Sequence, residues 1–154
     1  MADSNYEKYF VKKPVYEVVP VEEVEGRLPS MTVMSNNLVP GCNTYIEIGW
    51  VNGMPKPSTH IYEHVHDYDE IVIHMGNDPD NREELGGEIE FMLDGQALTI
   101  NKTSAVFVPK GVKHGPLTWK KFEKPHFEMA IMLGAGTLAE ADPGGHQEKM
   151  KAEQ

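Results

Sequence analysis

The stretch His64-Val65-His66-Asp67-Tyr68-Asp69-Glu70 places two histidines one residue apart and an acid four residues after the second. Alternate side chains of an extended strand lie on the same face, so we predict a strand over 60–66 in which His64 and His66 point the same way. Glu70 follows a short turn and lies on the return strand. Two imidazoles and one carboxylate are therefore expected to meet at one point.

A second cluster, Pro109-Lys110-Gly111-Val112-Lys113-His114, supplies one more imidazole. We expect His114 at the end of a distant strand, close to the same point. Three neutral imidazoles and one carboxylate form a site for one divalent transition metal, such as iron, manganese, nickel or zinc. A metal held in this way usually keeps positions open for water or substrate, which indicates chemistry more than scaffolding. The predicted metal ligands are His64, His66, Glu70 and His114.

Short runs rich in β-branched and aromatic residues make up much of the chain, and its 11 prolines and 14 glycines separate them. Such runs predict strands, and Asp94-Gly95 predicts a two-residue hairpin turn. The middle of the chain has no pattern typical of an amphipathic helix of ordinary length. Many short strands with little helix indicate an all-β sandwich or small barrel. The predicted strands cover residues 15–19, 31–34, 45–51, 60–66, 70–75, 88–93, 96–100, 105–108 and 127–133.

The balance of charge limits the partners of this chain. Its 24 acidic and 14 basic residues give a net charge of −10, which disfavours nucleic acid and anionic membranes. The predicted partner is a small-molecule substrate or ligand. The N-terminus lacks the pattern of a signal peptide, and no stretch approaches the roughly 20 apolar residues that span a bilayer. Together with the single Cys42, which excludes an internal disulfide, this predicts a cytoplasmic protein.

Both histidine clusters match the motifs of a known family, and the chain resembles a small single-domain member of the cupin superfamily over roughly residues 40–133. The departures from the family pattern fall outside the four predicted metal ligands. Thr103 stands where the second motif begins with glycine, and Thr118 stands where asparagine is usual. The residues that fit the two motifs in order are His64, His66, Glu70 and Gly76 for the first, and Pro109, Gly111 and His114 for the second.

The resemblance implies an all-β fold, the cupin-type double-stranded β-helix or jelly-roll barrel, which binds one metal inside. On this basis we divide the chain into an N-terminal arm and first strand (1–30), the barrel (31–133) and a polar C-terminal tail (134–154). An insertion at 77–87 lengthens one connection. Cupins often dimerise through N-terminal strands, and the apolar run Tyr9-Phe10-Val11 agrees with a homodimer.

The resemblance leaves the reaction open, because similar sites serve dioxygenases, isomerases, lyases, decarboxylases and binding proteins. We favour a metal-dependent enzyme that acts on a small organic molecule, and among its reactions a dioxygenase. The alternatives are a metal-dependent isomerase, lyase or decarboxylase, and a non-catalytic cupin that binds a small molecule. No catalytic residue is assigned. His60, His74 and Glu128 are candidates because strand parity can turn each of them inward, and each is alternatively a residue of the barrel mouth or wall.

Overall fold

The computed structural model describes residues 5–16 and 24–145, and the structural statements that follow concern these residues. Strands make up most of this part of the chain, and its helices are single turns. The strands are β1 (Glu25–Arg27), β2 (Met31–Met34), β3 (Thr44–Lys56), β4 (Thr59–His60), β5 (Asp69–Gly76), β6 (Glu84–Leu93), β7 (Gln96–Lys102), β8 (Ser104–Val108), β9 (His114–Phe122) and β10 (His126–Leu133). The helical turns are α1 (Leu138–Ala141) and two 3₁₀ turns, Tyr6–Tyr9 and Pro143–Gly145.

The strands form two antiparallel sheets. The first has the order β1-β3-β10-β5-β8, with β2 also paired to β3, and the second has the order β4-β9-β6-β7. In the first sheet β10 lies between β3 and β5, so three segments distant in sequence become neighbours. From β3 onward, successive strands fall in different sheets apart from the β6–β7 hairpin, so the chain winds between the two sheets as in a jelly roll. The predicted all-β jelly-roll fold is confirmed.

Burial alternates along the strands, and this period of two defines the interior of the barrel. Leu85, Ile89 and Phe91 are buried in β6, and Glu70 and Val72 are buried in β5. The apolar side chains of both sheets pack into one core, where each large, fully buried side chain contributes about 1.5–3 kcal/mol. This core contains Val51, Val72, Leu85, Ile89, Phe91, Ile100, Val108, Leu117 and Trp119.

A smaller apolar cluster joins the C-terminal segment to the first sheet. Tyr45 of β3 and Met132 of β10 pack there with Ala141 of α1. Tyr68, in the loop before β5, belongs to the same cluster. Through Tyr68 the C-terminal segment reaches the loop that carries His66.

The predicted hairpin at Asp94-Gly95 is confirmed. These two residues connect β6 to β7, and Leu93 pairs with Gln96 across the turn. Asp94 has a φ of 47° and Gly95 a φ of 80°, as a type I′ turn requires of both central residues.

The strand predicted over 60–66 is wrong. Only Thr59–His60 is a strand, and residues 61–68 form a loop apart from one antiparallel bridge at His64. Ile61 has a φ of 60°, in the left-handed region, which ends the extended backbone directly after β4. His64 and His66 therefore do not share one face of a strand.

His114 lies at one end of a strand distant in sequence, as predicted, and is the first residue of β9. The predicted strands omit β9, since Gly115-Pro116 resembles a turn and Lys120-Lys121 interrupts its apolar pattern. Leu117 and Trp119 nevertheless alternate inward along it.

Two further predictions concern segments at the edges of strands. The insertion predicted over 77–87 is a shorter loop, because residues 84–87 already belong to β6. Of the strand predicted over 15–19, Val15 makes one antiparallel bridge to Thr32, and residues 17–19 lie outside the described residues. The division of the chain at residues 30 and 133 stays a prediction.

Candidate metal centre

Four side chains from different parts of the chain meet inside the barrel. One donor atom from each of His64, His66, Glu70 and His114 lies within 4.8 Å of the others. Glu70 and His114 are buried, at 6% and 2% exposure, and the two loop histidines are half-buried. The structure thus brings together all four residues that the sequence predicts as metal ligands.

Main-chain hydrogen bonds hold the two histidine clusters against each other. His64 and His114 exchange a pair of them, from His64 N–H to His114 O at 2.9 Å and from His114 N–H to His64 O at 3.0 Å. The Gly111 N–H donates to the carbonyl oxygen of His66 at 3.0 Å. Gly111 has a φ of 79°, which glycine adopts without steric strain. The Pro-x-Gly-x-x-His segment therefore positions both loop histidines as well as its own.

Each of the three imidazoles makes a hydrogen bond from Nδ1 to a main-chain carbonyl. A carbonyl only accepts, so Nδ1 carries the proton and the neutral ring has its lone pair on Nε2. Such contacts orient metal-ligating histidines and select their tautomer. The acceptors for His64, His66 and His114 are, in that order, the carbonyl oxygens of Tyr62 (2.7 Å), Tyr68 (2.9 Å) and Val112 (3.0 Å).

Glu70 supplies the negative charge of the cluster. Its Oε2 lies 2.9 Å from Nε2 of His66 and 3.1 Å from Nε2 of His114. Burial by itself raises the pKa of Glu70, but hydrogen bonds and charges from the protonated imidazoles of His114 and His66 outweigh burial and lower the pKa to about 2. Burial lowers the pKa of His64 more than its hydrogen bond to the Tyr62 carbonyl raises it. The site near pH 7 thus combines an ionised carboxylate with a neutral His64.

These donors fit a divalent transition ion. Nε2 of His114 is buried and makes no well-aligned hydrogen bond to any described residue, although Oε2 of Glu70 is only 3.1 Å away. A proton on Nε2 stabilises a carboxylate oxygen at this distance, and when the imidazole is neutral a cation bound to both atoms takes the place of that proton. Three imidazole nitrogens and one carboxylate oxygen suit iron, manganese, nickel or zinc. The cluster can therefore hold one such ion.

Tyr68 positions the imidazole of His66. The two rings stack, with centroids 3.8 Å apart and planes inclined by 5°. The Tyr68 hydroxyl donates to the carbonyl oxygen of Ala141 at the end of α1. Burial, reinforced by the charge of Glu70, raises the pKa of Tyr68, so the hydroxyl remains a donor. The C-terminal turn thereby helps to place one predicted ligand.

A cavity of ≈ 550 Å³ lies beside the cluster, between the two sheets. Its wall includes His64, Glu70 and His114. A volume of this size accommodates a small organic molecule. The apolar part of the wall includes Ile61, Val72, Phe91, Leu117 and Met132.

The same cavity has a charged wall formed by Arg27 of β1, Glu47 of β3 and Glu128 of β10. Nη2 of Arg27 pairs with Glu128, and the guanidinium lies 5.2 Å from the centre of the Trp119 ring. Burial lowers the pKa of Arg27 to about 10, against the opposing effect of Glu47. Burial, followed by the charge of Glu70, raises the pKa of Glu47 to about 7, with Arg27 opposing the shift.

Strand register explains why these groups share one wall. Glu47, Ala130 and Val72 lie side by side across β3, β10 and β5, and Gly49, Glu128 and His74 form the next row. A Cβ on Gly49 would lie 3.0 Å from both Cγ and Oε1 of Glu128. The small residues Gly49 and Ala130 therefore leave the space that the side chain of Glu128 and the cavity occupy.

Of the three candidate catalytic residues, His60 and Glu128 line the cavity, and neither is part of the four-donor cluster. His74 is fully buried, is not among the lining residues, and places its Nε2 3.8 Å from Oε2 of Glu128. Burial lowers the pKa of His74 to about 3, so the ring is neutral. A catalytic role for His60, His74 and Glu128 stays a prediction.

Arg27 and Glu47 are absent from the residues predicted to form the site. Glu47 has a signal in the sequence, because it is the one charged residue in the predicted strand 45–51. Parity alone does not tell which face of that strand is inward. Arg27 has no comparable signal, since it reaches the cavity from the edge strand β1 through tertiary packing.

Solved structures share this arrangement of strands. The structure of oxalate oxidase in complex with the substrate analogue glycolate matches 89% of this chain with a TM-score of 0.56 and 12% identity. The structure of a predicted oxalate decarboxylase from Thermotoga maritima superposes on this chain with a TM-score of 0.52 and 12% identity. The match covers 79% of this chain and 91% of the Thermotoga maritima chain. The chain has the cupin fold.

An RmlC-like cupin from Shewanella frigidimarina superposes with a TM-score of 0.46 and 14% identity. The match covers 80% of this chain and 95% of the Shewanella frigidimarina chain. The cupin fold of this chain spans 64% of the oxalate oxidase chain, less than two thirds of it. No protein-family model and no curated protein sequence matches the chain. At these identities the likeness describes the fold.

Within residues 5–16 and 24–145, no helix combines the length and the apolar composition that crossing a membrane requires.

Proposed function

We propose that this cupin is a metal-dependent enzyme that acts on a small organic molecule. The observation that carries the proposal is the orientation of the three imidazoles. Main-chain carbonyls hold Nδ1 of His64, His66 and His114, which leaves three Nε2 lone pairs beside the ionised Glu70 on the wall of a ≈ 550 Å³ cavity. An ion that prefers more than four ligands would keep positions for a substrate when these four residues hold it.

His64, His66, Glu70 and His114 would hold the ion beside the cavity, whose apolar wall would limit the access of bulk water. A divalent ion bound there supplies Lewis acidity, and iron or manganese supplies redox chemistry as well. Within this class we favour a dioxygenase, as the resemblance to cupins implies. An isomerase, lyase or decarboxylase reaction is the alternative within the enzyme class, and binding without catalysis is the alternative outside it.

Metal binding is tested first, by elemental analysis of protein purified without added chelator and by calorimetric titration with Fe(II), Mn(II), Ni(II) and Zn(II). We expect one ion per chain for the unaltered protein. His114→Ala and His64→Ala should each lose binding by at least about tenfold. His60→Ala is the matched control, because His60 is an imidazole of the same cavity outside the cluster, and it should keep one ion per chain. A metal content that the His114→Ala variant leaves unchanged contradicts the proposal.

The reaction is tested on metal-loaded protein with catechols, diketones, keto acids and sugar acids. Oxygen consumption that depends on substrate supports the dioxygenase. Product formed under anaerobic conditions supports the isomerase, lyase or decarboxylase. Tight binding of a compound with no turnover in either atmosphere supports the non-catalytic alternative and contradicts an enzyme.

A further inference from the structure

We propose that the substrate is a small monocarboxylate and that its carboxylate group binds Arg27 and Glu47 in the cavity that also contains His64, Glu70 and His114. The inference rests on the proposed function of this cavity, and it specifies the substrate class. It concerns the charged wall, which lies apart from the four predicted ligands.

Arg27 is the cation of this wall. Its side chain is 7% exposed, and its Nη2 is paired with Glu128. Its Nη1 is buried and has no hydrogen-bond partner among the described residues. A buried, charged donor without an acceptor is costly, and the planar guanidinium presents neighbouring N–H groups that match the two oxygens of a carboxylate. Because its pKa falls only to about 10, Arg27 is positive near pH 7.

Glu47 is the second unpartnered group. Its Oε2 is buried and makes no hydrogen bond within the part of the chain that the structure describes. An ionised Glu47 would repel a carboxylate ligand. Without a bound ion, burial and the charge of Glu70 raise its pKa to about 7, so below that pH Glu47 is a neutral carboxyl group that donates a hydrogen bond. Arg27 and neutral Glu47 together offer donors for one carboxylate.

The register places this subsite within reach of the metal centre. Glu47 lies in the row Glu47–Ala130–Val72, and Glu70 lies in the adjacent row Tyr45–Met132–Glu70. Adjacent rows on one face are about 7 Å apart along the strands. A molecule of a few carbon atoms with a carboxylate at one end and an oxygen function at the other therefore spans both groups.

The charges of the wall favour a monoanion. Glu128 neutralises Arg27 within their ion pair. A divalent ion exceeds the single negative charge of Glu70 by one, so a ligand with one negative charge makes the loaded site neutral while Glu47 is protonated. The ionisable groups near Glu47 that enter this sum of charges are Arg27, Glu70, Glu128 and the neutral His64 and His74.

Calorimetry with two pairs of probes, benzoate against benzamide and pyruvate against pyruvamide, tests the inference at pH 6. Each probe is titrated into chelator-treated protein and into protein loaded with Zn(II). The metal-free arm separates binding by Arg27 from direct binding to the ion. We expect each carboxylate to bind more tightly than its amide in both arms, by at least about tenfold in the zinc-loaded arm and by a smaller factor in the metal-free arm, where the charge of Glu70 is not balanced. Equal affinities for acid and amide overturn the inference.

Variants of Arg27 test whether this side chain causes the preference for carboxylates. Arg27→Gln should lose the preference for carboxylates, Arg27→Lys should retain part of it, and both should keep one zinc per chain. Arg82→Gln is the matched control, because Arg82 is an exposed arginine in the 77–83 loop, and it should bind the probes as the unaltered protein does. An equal loss in Arg82→Gln overturns the inference.

The outcomes separate this inference from the proposed function. Carboxylate preference without metal binding supports the Arg27 subsite and contradicts the metal-dependent enzyme. One zinc per chain without carboxylate preference supports the metal centre and overturns the subsite. If Arg27→Gln does not fold, Arg27→Lys and the acid–amide comparison on the unaltered protein decide the question.

Discussion

Gly115 lies directly against the main chain of Tyr62, where a Cβ at position 115 would be 2.5 Å from the Tyr62 carbonyl oxygen. Gly115 follows His114, and the same Tyr62 carbonyl accepts the hydrogen bond from Nδ1 of His64. The close approach of these two segments therefore sets the separation of two predicted metal ligands. A glycine next to the second motif has a function in the site that its position in the sequence does not reveal.

We expect Gly115→Ala to weaken metal binding and to destabilise the fold. The added Cβ pushes His114 and His64 apart, and Gly115 has a φ of 86°, where an alanine is strained. The expected loss in metal affinity is at least about tenfold by calorimetry. Gly95→Ala is the control, because Gly95 has a φ of 80° but a Cβ added there would meet no atom within 4 Å. It should lose about 1 kcal/mol of stability and keep its metal affinity. Equal metal affinities for the two variants contradict this account.

Tyr68→Ala should also weaken metal binding, because it removes the ring that stacks on His66 and the hydrogen bond to Ala141. Residues that support a metal ligand typically change affinity by about 10–100-fold. Tyr68→Phe keeps the ring and loses only the hydrogen bond, so its loss should be smaller. Titration with Zn(II) measures both. The control Tyr62→Ala retains the main-chain carbonyl that accepts from His64, and an affinity loss as large as that of Tyr68→Ala would refute a specific role for the Tyr68 ring.

The stability of chelator-treated protein should depend on the ionisation of Glu47. Its folded-state pKa of about 7 is above its ordinary value of 4.5, so the folded state binds this proton more tightly than the unfolded state. The resulting stabilisation is complete below about pH 4.5 and is lost as the pH rises to about 7. For a fully buried carboxyl group the upper limit is roughly 3 kcal/mol. The groups that act on Glu47 are Glu70 from β5 and Arg27 from β1.

Glu47→Gln tests this dependence because the amide has a similar shape and does not ionise. Urea unfolding at pH 5 and pH 8 should show a smaller decrease in the free energy of unfolding for the variant than for the unaltered protein. Glu84→Gln, at an exposed position of β6, is the control and should behave as the unaltered protein does. An identical pH dependence in Glu47→Gln and the unaltered protein would show that Glu47 ionises normally.

We expect the protein to be a homodimer that covers the outer face of the first sheet. Met75, Phe107 and Leu133 lie on this face with exposures of 43%, 54% and 38%. Ile71, Ile131 and Ile46 continue it across β5, β10 and β3. Exposed apolar surface of this extent is typical of an interaction site. Light scattering coupled to size-exclusion chromatography should give a dimer mass at micromolar concentration.

Phe107→Lys should shift that mass toward the monomer, because it places a charge on the apolar face at its most exposed large side chain. Lys120→Glu, on an exposed position of the second sheet, should leave the mass unchanged. A monomer mass for the unaltered protein would disprove the dimer, and a dimer mass that Phe107→Lys does not change would place its interface elsewhere.

The four predicted ligands and the rest of the site differ in how far the sequence predicts them. The four donors are predictable because their spacing is local to two short motifs. The way in which they assemble is not predictable from the sequence. Most of the predicted strand over 60–66 is a loop, and Ile61 has a positive φ. The imidazoles converge because a main-chain carbonyl orients each ring. The order of side chains in the sequence does not predict such contacts.

The sequence by itself determined the all-β class and the identity of the four donor residues, because an alternation of period two and a motif spacing are properties of neighbouring residues. Only the tertiary structure decided that Arg27 and Glu47 share the cavity with these donors. Arg27 and Glu128 are 101 residues apart along the chain, and their ion pair exists because β1 and β10 both pair with β3. Register between distant strands depends on the packing of the whole barrel, and a local pattern does not contain that information.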